Sequence, residues 1–174
     1  MPKKLSHVKQ LQRECNELWK ECVSLRDGPG CKVEEIYPEI ALAHSGPLQA
    51  DHCFTRSNKH LFFDIANGTV VCSSCNMAKH YDNKSVKRAV DEIVKAREGA
   101  TKWNEMLECD MKMGPNHNWN KLWWLQEIKE ELEDALKQSK RQRSKHLVND
   151  GSRNKKRKQR AEEVSLGELF DKAE

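Results

Sequence analysis

The chain of 174 residues carries 31 Lys or Arg against 27 Asp or Glu, for a formal net charge of +4, with 37% hydrophobic and 33% charged residues. That suits one small domain with exposed helices and tails. No run of about 18 apolar residues occurs, so no membrane span is expected, and the opening MPKKLSHVKQ lacks the apolar core of a secretory leader. A cytosolic protein is expected. In a reducing cytosol seven cysteines point to metal binding before disulfides, and their odd number leaves one thiol over in any all-disulfide scheme.

Residues 4–26 have the apolar spacing of an amphipathic helix through Val8, Leu11, Cys15, Leu18, Trp19, Cys22 and Leu25. Cys15 and Cys22 fall on that stripe and are expected in the core, as are Cys53 and Cys109. The RDGPG stretch ends the helix, because Gly and Pro do not continue it. Residues 32–47 read as a connection whose Ile36, Tyr37, Ile40 and Leu42 cover apolar surface.

The stretch LQADHCFTRSNKHLFFDIANGTVVCSSCNMAKH, residues 48–80, organises the rest. LQADHCF and GTVVC read as two short strands around a turn-rich middle, and CSSCNMAKH opens a helix. Asp51 is a hard oxygen donor suited to Mg²⁺ or Mn²⁺. Asn76 and His80 are four apart on a helix and face one way, so they can converge with Asp51 on one cation. His52 is then free as a general base near neutral pH. Arg56, shortly after it, can hold a phosphate, whereas Lys59 and His60 read as solvated.

At these residues the chain resembles the HNH, or ββα-metal (His-Me finger), endonucleases. The pattern D-H, then N-G before an apolar strand, then C-x-x-C-N-x-x-K carries it, with Asn67 as the middle Asn. It is most similar to the phage recombination proteins of the NinG or Rap type, through LWKECVSLRDGPGC, HLFFDIANG and VCSSCN over roughly residues 18 to 83. The resemblance implies an α+β fold, a small treble-clef-like core packed against helices. It implies Asp51 and Asn76 as metal ligands, His80 as a further ligand, His52 as the base, and Lys79 or Arg56 supporting the pentavalent state. It also implies a bacterial host's cytoplasm for a phage-encoded chain.

Cys31, Cys72 and Cys75 offer three thiolates to a structural zinc. Only Cys31 stands where a first C-x-x-C would begin, Glu34 lying three residues on. The fourth ligand stays open between Glu34, His44 and Cys53, with His44 read more readily as a loop residue.

Beyond His80, Ser85 is expected to cap a helix through Val86, Ala89, Val90, Ile93 and Val94 that Gly99 ends. TKWNEMLECDMKM is a second helix, and WNKLWWLQEIKEELEDALKQ a third, with Leu122, Trp123, Leu125, Ile128, Leu132 and Leu136 inward. Trp119, Trp123 and Trp124 read first as packing against the first helix and second as a dimer interface or base-stacking wedge. Residues 140–160 lack apolar periodicity and are expected to be disordered when free. Their Lys140, Arg141, Arg143, Lys145, Arg153, Lys155, Lys156, Arg157, Lys158 and Arg160 leave 21 basic against 26 acidic residues elsewhere, so the positive charge is a tail property suited to DNA phosphates. The acidic, amphipathic end AEEVSLGELFDKA suits docking on a replication or recombination protein.

The expected organisation is an N-terminal helix over 1–26, a nuclease core over 27–83, a helical extension over 84–138, a basic tail over 139–160 and a C-terminal segment over 161–174. The expected function is a metal-dependent DNA endonuclease acting on branched or recombination intermediates, with a homodimer as a further expectation. The alternatives are a nicking or packaging-associated HNH enzyme and a non-catalytic, zinc-containing DNA-binding module.

Overall fold

Apolar residues on one stripe and a Ser6 side chain that accepts a hydrogen bond from the Lys9 amide start the first helix, α1 (His7–Asp27). The computed structural model describes residues 6–40, 44–54, 56–81, 83–112 and 116–144. A short helix α2 (Lys32–Ile36) follows where the sequence suggested only a connection; it buries Val33. Tyr37 and Ile40 pack inward as expected, but Ile36 is 51% exposed and Leu42 lies outside the described residues.

Strands β1 (Leu48–His52) and β2 (Gly68–Cys72) pair antiparallel, with Asp51 opposite Thr69 and His52 opposite Gly68. A 3-10 turn, Ile65–Asn67, leads into β2 and is capped by Asp64. Helices α3 (Ser73–His80) and α4 (Lys84–Met111) come next, and residues 122–144 form α5. The cap of α4 is Asn83, whose Oδ1 accepts from the Val86 amide; Ser85 already lies in the first turn. At Gly99 the backbone leaves helical geometry, with φ at 81° and ψ at 166°, so the run consists of two helices that meet at the expected break. α5 runs on to 144, so Lys140, Arg141 and Arg143 are helical and not part of an irregular tail. By internal contacts the chain divides into Met1–Leu136 and Lys137–Glu174.

Every residue of β2 is buried, because the two-stranded sheet is covered on both faces. Val70 packs with Leu11, Cys15, Trp19 and Val23 of α1 and with Leu125, Leu132 and Leu136 of α5. Val71 packs on the other side with Val33 of α2 and with Val86, Ala89, Val90 and Ile93 of α4. Gly68 sits where a β-carbon would lie 2.5 Å from Val23 and 2.8 Å from Trp19, so only Gly lets α1 approach the sheet this closely. Thiols of α1 reinforce the helix pair: Cys15 and Cys22 donate to the carbonyls of Leu125 and Leu132. Trp119 and Trp124 stack around Phe63, but Trp123 is 56% exposed and Leu122 39% exposed. The inward stripe of α5 is thus Trp124, Leu125, Ile128, Leu132 and Leu136, one residue displaced at its start from the expected one.

A charge cluster ties these layers together. Asp27 accepts from Arg26 Nε at 2.7 Å and from the Val70 amide at 2.9 Å, and pairs with Arg97 at 3.5 Å. Arg26 and Arg97 both donate to the Gly68 carbonyl, and they also take the carbonyls of Ile65 and Ala66. Burial pushes the Asp27 carboxyl up, but the Arg26 and Val70 hydrogen bonds and the two guanidinium charges outweigh it and leave its pKa below the ordinary 3.8. A depressed carboxylate pKa contributes stability that is present above pH 3.8 and is lost as pH falls through the folded value. Asp27→Asn is expected to cost about 2 kcal/mol in urea unfolding at pH 7, because it removes a buried carboxylate charge that Arg26 and Arg97 meet, although both half-buried guanidinium groups keep Glu98. That deficit should shrink on acidification below pH 3.8, and a deficit independent of pH would contradict this assignment.

Candidate functional site

Cys72 precedes α3 and Cys75 lies in its first turn, so the C-x-x-C spacing brings both thiols to one end of that helix. Cys31 precedes α2, and His44 comes from the loop before β1. Serine hydrogen bonds sew that loop to α3: the Ser45 amide donates to Ser74 Oγ at 3.0 Å, and the Ser73 amide to the Pro47 carbonyl at 3.1 Å. Gly46, at φ 81°, makes this approach possible, since a β-carbon there would sit 2.0 Å from Ser73 Oγ. The result is a Cys31, His44, Cys72, Cys75 cluster whose ligand atoms all lie within 4.8 Å of one another.

These residues could hold a structural zinc. Cys31 and Cys75 sulfurs are 3.8 Å apart. Tetrahedral Zn–S bonds of about 2.3 Å place sulfurs about 3.8 Å apart. His44 Nδ1 is 3.2 Å from Cys75 and 3.9 Å from Cys72. Burial raises the Cys72 thiol pKa, but hydrogen bonds from Ser74, the backbone at Cys75 and His44 overcome it and bring it to about 6. A thiolate is therefore accessible at neutral pH, as metal ligation requires. His44 is the fourth member, against its reading as a loop residue. Glu34 is exposed on α2 and outside the cluster, and Cys53 donates to Asp91 instead.

On the other side of α3, Asp51 is 1% exposed and meets the helix it was expected to meet. One end of the Asn76 amide lies 3.1 and 3.2 Å from the two Asp51 oxygens and 3.2 Å from His80 Nε2. As nitrogen, that end donates to all three, while the Asn76 oxygen accepts from Gln49 Nε2 at 2.9 Å. Turned over, the same amide presents an oxygen toward a carboxylate and an imidazole nitrogen, the donor set of a divalent cation. The Lys79 ammonium bonds Asp51 Oδ2 and the His52 carbonyl. Lys79 thus acts first on Asp51 and on the end of β1. Arg56, 58% exposed, stands 3.8 Å from the other Asp51 oxygen.

His52, next along the strand, turns to the α1 face. Its ring stacks on Trp19 with centroids 4.0 Å apart and planes 7° from parallel, and its Nε2 donates to the Phe62 carbonyl at 2.8 Å. A carbonyl only accepts, so Nε2 keeps the proton and Nδ1 carries the lone pair. Nδ1 has no partner among the described residues. Burial, opposed by the Phe62 carbonyl and aided by Arg56, drops the His52 pKa to about 4, so the ring is neutral at pH 7. Trp19 fixes the ring from outside the hairpin and helix, a contact that α1's periodicity did not distinguish from ordinary core packing.

A cleft of about 250 Å³ joins Asp51, His52, Arg56, Lys79 and His80. Lys87 of α4 also lines it, which no motif indicated. Asn67, fully buried, shapes the loop beneath: its Oδ1 accepts from the Phe54 amide and its Nδ2 donates to the Leu61 carbonyl. Lys59 is not merely solvated, since its ammonium lies 4.8 and 4.7 Å from the Phe62 and Trp119 ring centres. Lys140, Arg141 and Arg143 are exposed on α5; Lys145, Arg153, Lys155, Lys156, Arg157, Lys158 and Arg160, with the segment 161–174, lie outside the described residues. Among the described residues no helix is long and apolar enough to cross a membrane.

Elemental analysis of the purified chain should find one tightly held zinc. His44→Ala and Cys75→Ser should each lose most of it and lower the melting temperature, because ligation of this kind contributes on the order of 10 kcal/mol to folding. A native protein free of zinc, or His44→Ala with full zinc content, would contradict the four-ligand assignment. Comparison of the chain with protein-family models, with curated proteins and with solved structures gives no match.

Proposed function

We propose that the chain is a metal-dependent DNA endonuclease of the HNH type, acting on branched or recombination intermediates. The observation that carries this reading is the meeting of Asp51, Asn76 and His80 around one point, beside a neutral, hydrogen-bond-oriented His52. Asp51, the Asn76 amide oxygen and His80 Nε2 would hold the divalent ion, Mg²⁺ or Mn²⁺. When bound, that ion supplies Lewis-acid polarisation of a phosphodiester and stabilises the departing oxygen. His52 Nδ1 takes the proton from the attacking water, and the Phe62 carbonyl holds the resulting imidazolium in place through Nε2. Arg56 orients the phosphate from the exposed side of the cleft, and Lys79 keeps Asp51 and the end of β1 in position. The basic residues around Lys140–Arg160 add affinity for phosphates without reading sequence.

One observation favours a second reading, a DNA-binding module without hydrolysis: Lys79 already neutralises Asp51. The two separate on incubation with matched linear, flap and four-way DNA in Mg²⁺ or Mn²⁺. The endonuclease reading expects cutting, a preference for the branched forms, and a loss on the order of 10²–10⁴-fold in His52→Ala. Cutting by His52→Ala at the parental rate would defeat the mechanism, and equal cutting of all three DNAs would remove the branched-substrate part.

A further inference from the structure

β1 is paired on one side only, and along its α1-facing side runs a groove of about 460 Å³. Leu48 and His52, which share a face of the strand, line its floor; Asn16, Lys20 and Ser24, four residues apart along α1, form one wall. No carboxylate lines it among the described residues. The acidic side chains Glu14, Glu17 and Glu21 of α1 line a neighbouring groove that meets this one at Lys20 and Ser24, whereas Asn16, Leu48 and Ala50 line the β1 groove alone. The β1 groove and the reaction cleft are neighbours that share His52 and Arg56 as lining. His52, whose buried Nδ1 has no partner among the described residues, lines both.

We infer that this groove receives a single unpaired polynucleotide strand running on from the phosphate held beside His52, an inference that rests on the endonuclease reading. Its volume suits a nucleotide or two and not a duplex. Lys20 and Arg56 supply the cations for backbone phosphates. The Lys20 pairing with Glu17 is solvent-exposed and competes weakly with a phosphate. Leu48, 44% exposed, offers an apolar surface to a sugar or base, and the Asn16 amide offers both a donor and an acceptor to a base edge. The substrate class that fits is DNA with unpaired nucleotides next to the scissile bond, as at a flap or branch point. A fully paired duplex would leave this groove unfilled.

The test is binding of a thymidine tetranucleotide to the full, zinc-loaded chain with no Mg²⁺ or Mn²⁺ added, read by amide chemical shifts and by fluorescence anisotropy. Shifts are expected at Asn16, Lys20 and Ser24. Lys20→Glu and Ser24→Glu should each weaken the tetranucleotide on the order of fivefold, about 1 kcal/mol, while leaving a short blunt duplex nearly unaffected. Arg13→Glu, which makes the same charge change beside the acidic groove, serves as the control and should change binding less than about twofold. Equal losses in Arg13→Glu and Lys20→Glu, or shifts confined to other elements, would overturn the groove. Failure to cut branched DNA in Mg²⁺ or Mn²⁺, with the shifts intact, would sink the endonuclease reading and leave the groove standing.

Discussion

Three thiols and an imidazole drawn from three separate segments meet within 4.8 Å, and the geometry of everything else near the cleft follows from that meeting. Cys31 brings α2, His44 brings the loop ahead of β1, and Cys72 with Cys75 brings the start of α3. Each segment is short, and a two-stranded hairpin with one small helix buries too little apolar area to be stable alone. With a zinc bound, the cluster would do for this region what a larger core does elsewhere. Because it sits at the start of α3, it also sets how Asn76 and His80, one and five residues past Cys75, face β1.

Asp51 shows the cost of that arrangement. A carboxylate 1% exposed is expensive unless its charge and lone pairs are met. Lys79 meets the charge, and Asn76 meets both oxygens. His52, one residue on, points to the other face, where Trp19 and the Phe62 carbonyl hold a neutral ring. Alternation along a single strand so separates a negatively charged group from a proton acceptor while keeping both at the wall of one cleft. The two groups have different surroundings: a polar, cation-rich side for the carboxylate and an aromatic side for the neutral imidazole.

α1 lies outside the hairpin and α3, yet it contributes to both of their faces. Its Trp19 supports the His52 ring, and its last residue, Asp27, anchors β2 through the Val70 amide. Arg26 and Arg97, from α1 and α4, converge on the carbonyls that lead into β2. The 3-10 turn that carries Asn67 is thereby held from both sides, and with it the loop connecting the two strands.

Local chemistry was readable from the sequence. Alternating apolar residues and the Asn67-Gly68 turn located both strands, the 3.6-residue repeat located α1, α4 and α5, and C-x-x-C followed by Asn and His located α3, with Asn76 and His80 on one side of it. These signals lie within a few residues of one another, where periodicity and turn preference act. The sequence could not choose His44 over Glu34 or Cys53, because that choice depends on a loop laid against α3 by serine hydrogen bonds and a glycine contact. It placed Trp123 inside, although only packing against Phe63 decides that Trp124 turns inward instead. Nor did it bring Lys87 to the cleft or Trp19 to His52, 33 residues away in the chain. Backbone preference and spacing govern what neighbours along the chain can do, whereas contacts between distant segments are set by how whole elements fill space against each other.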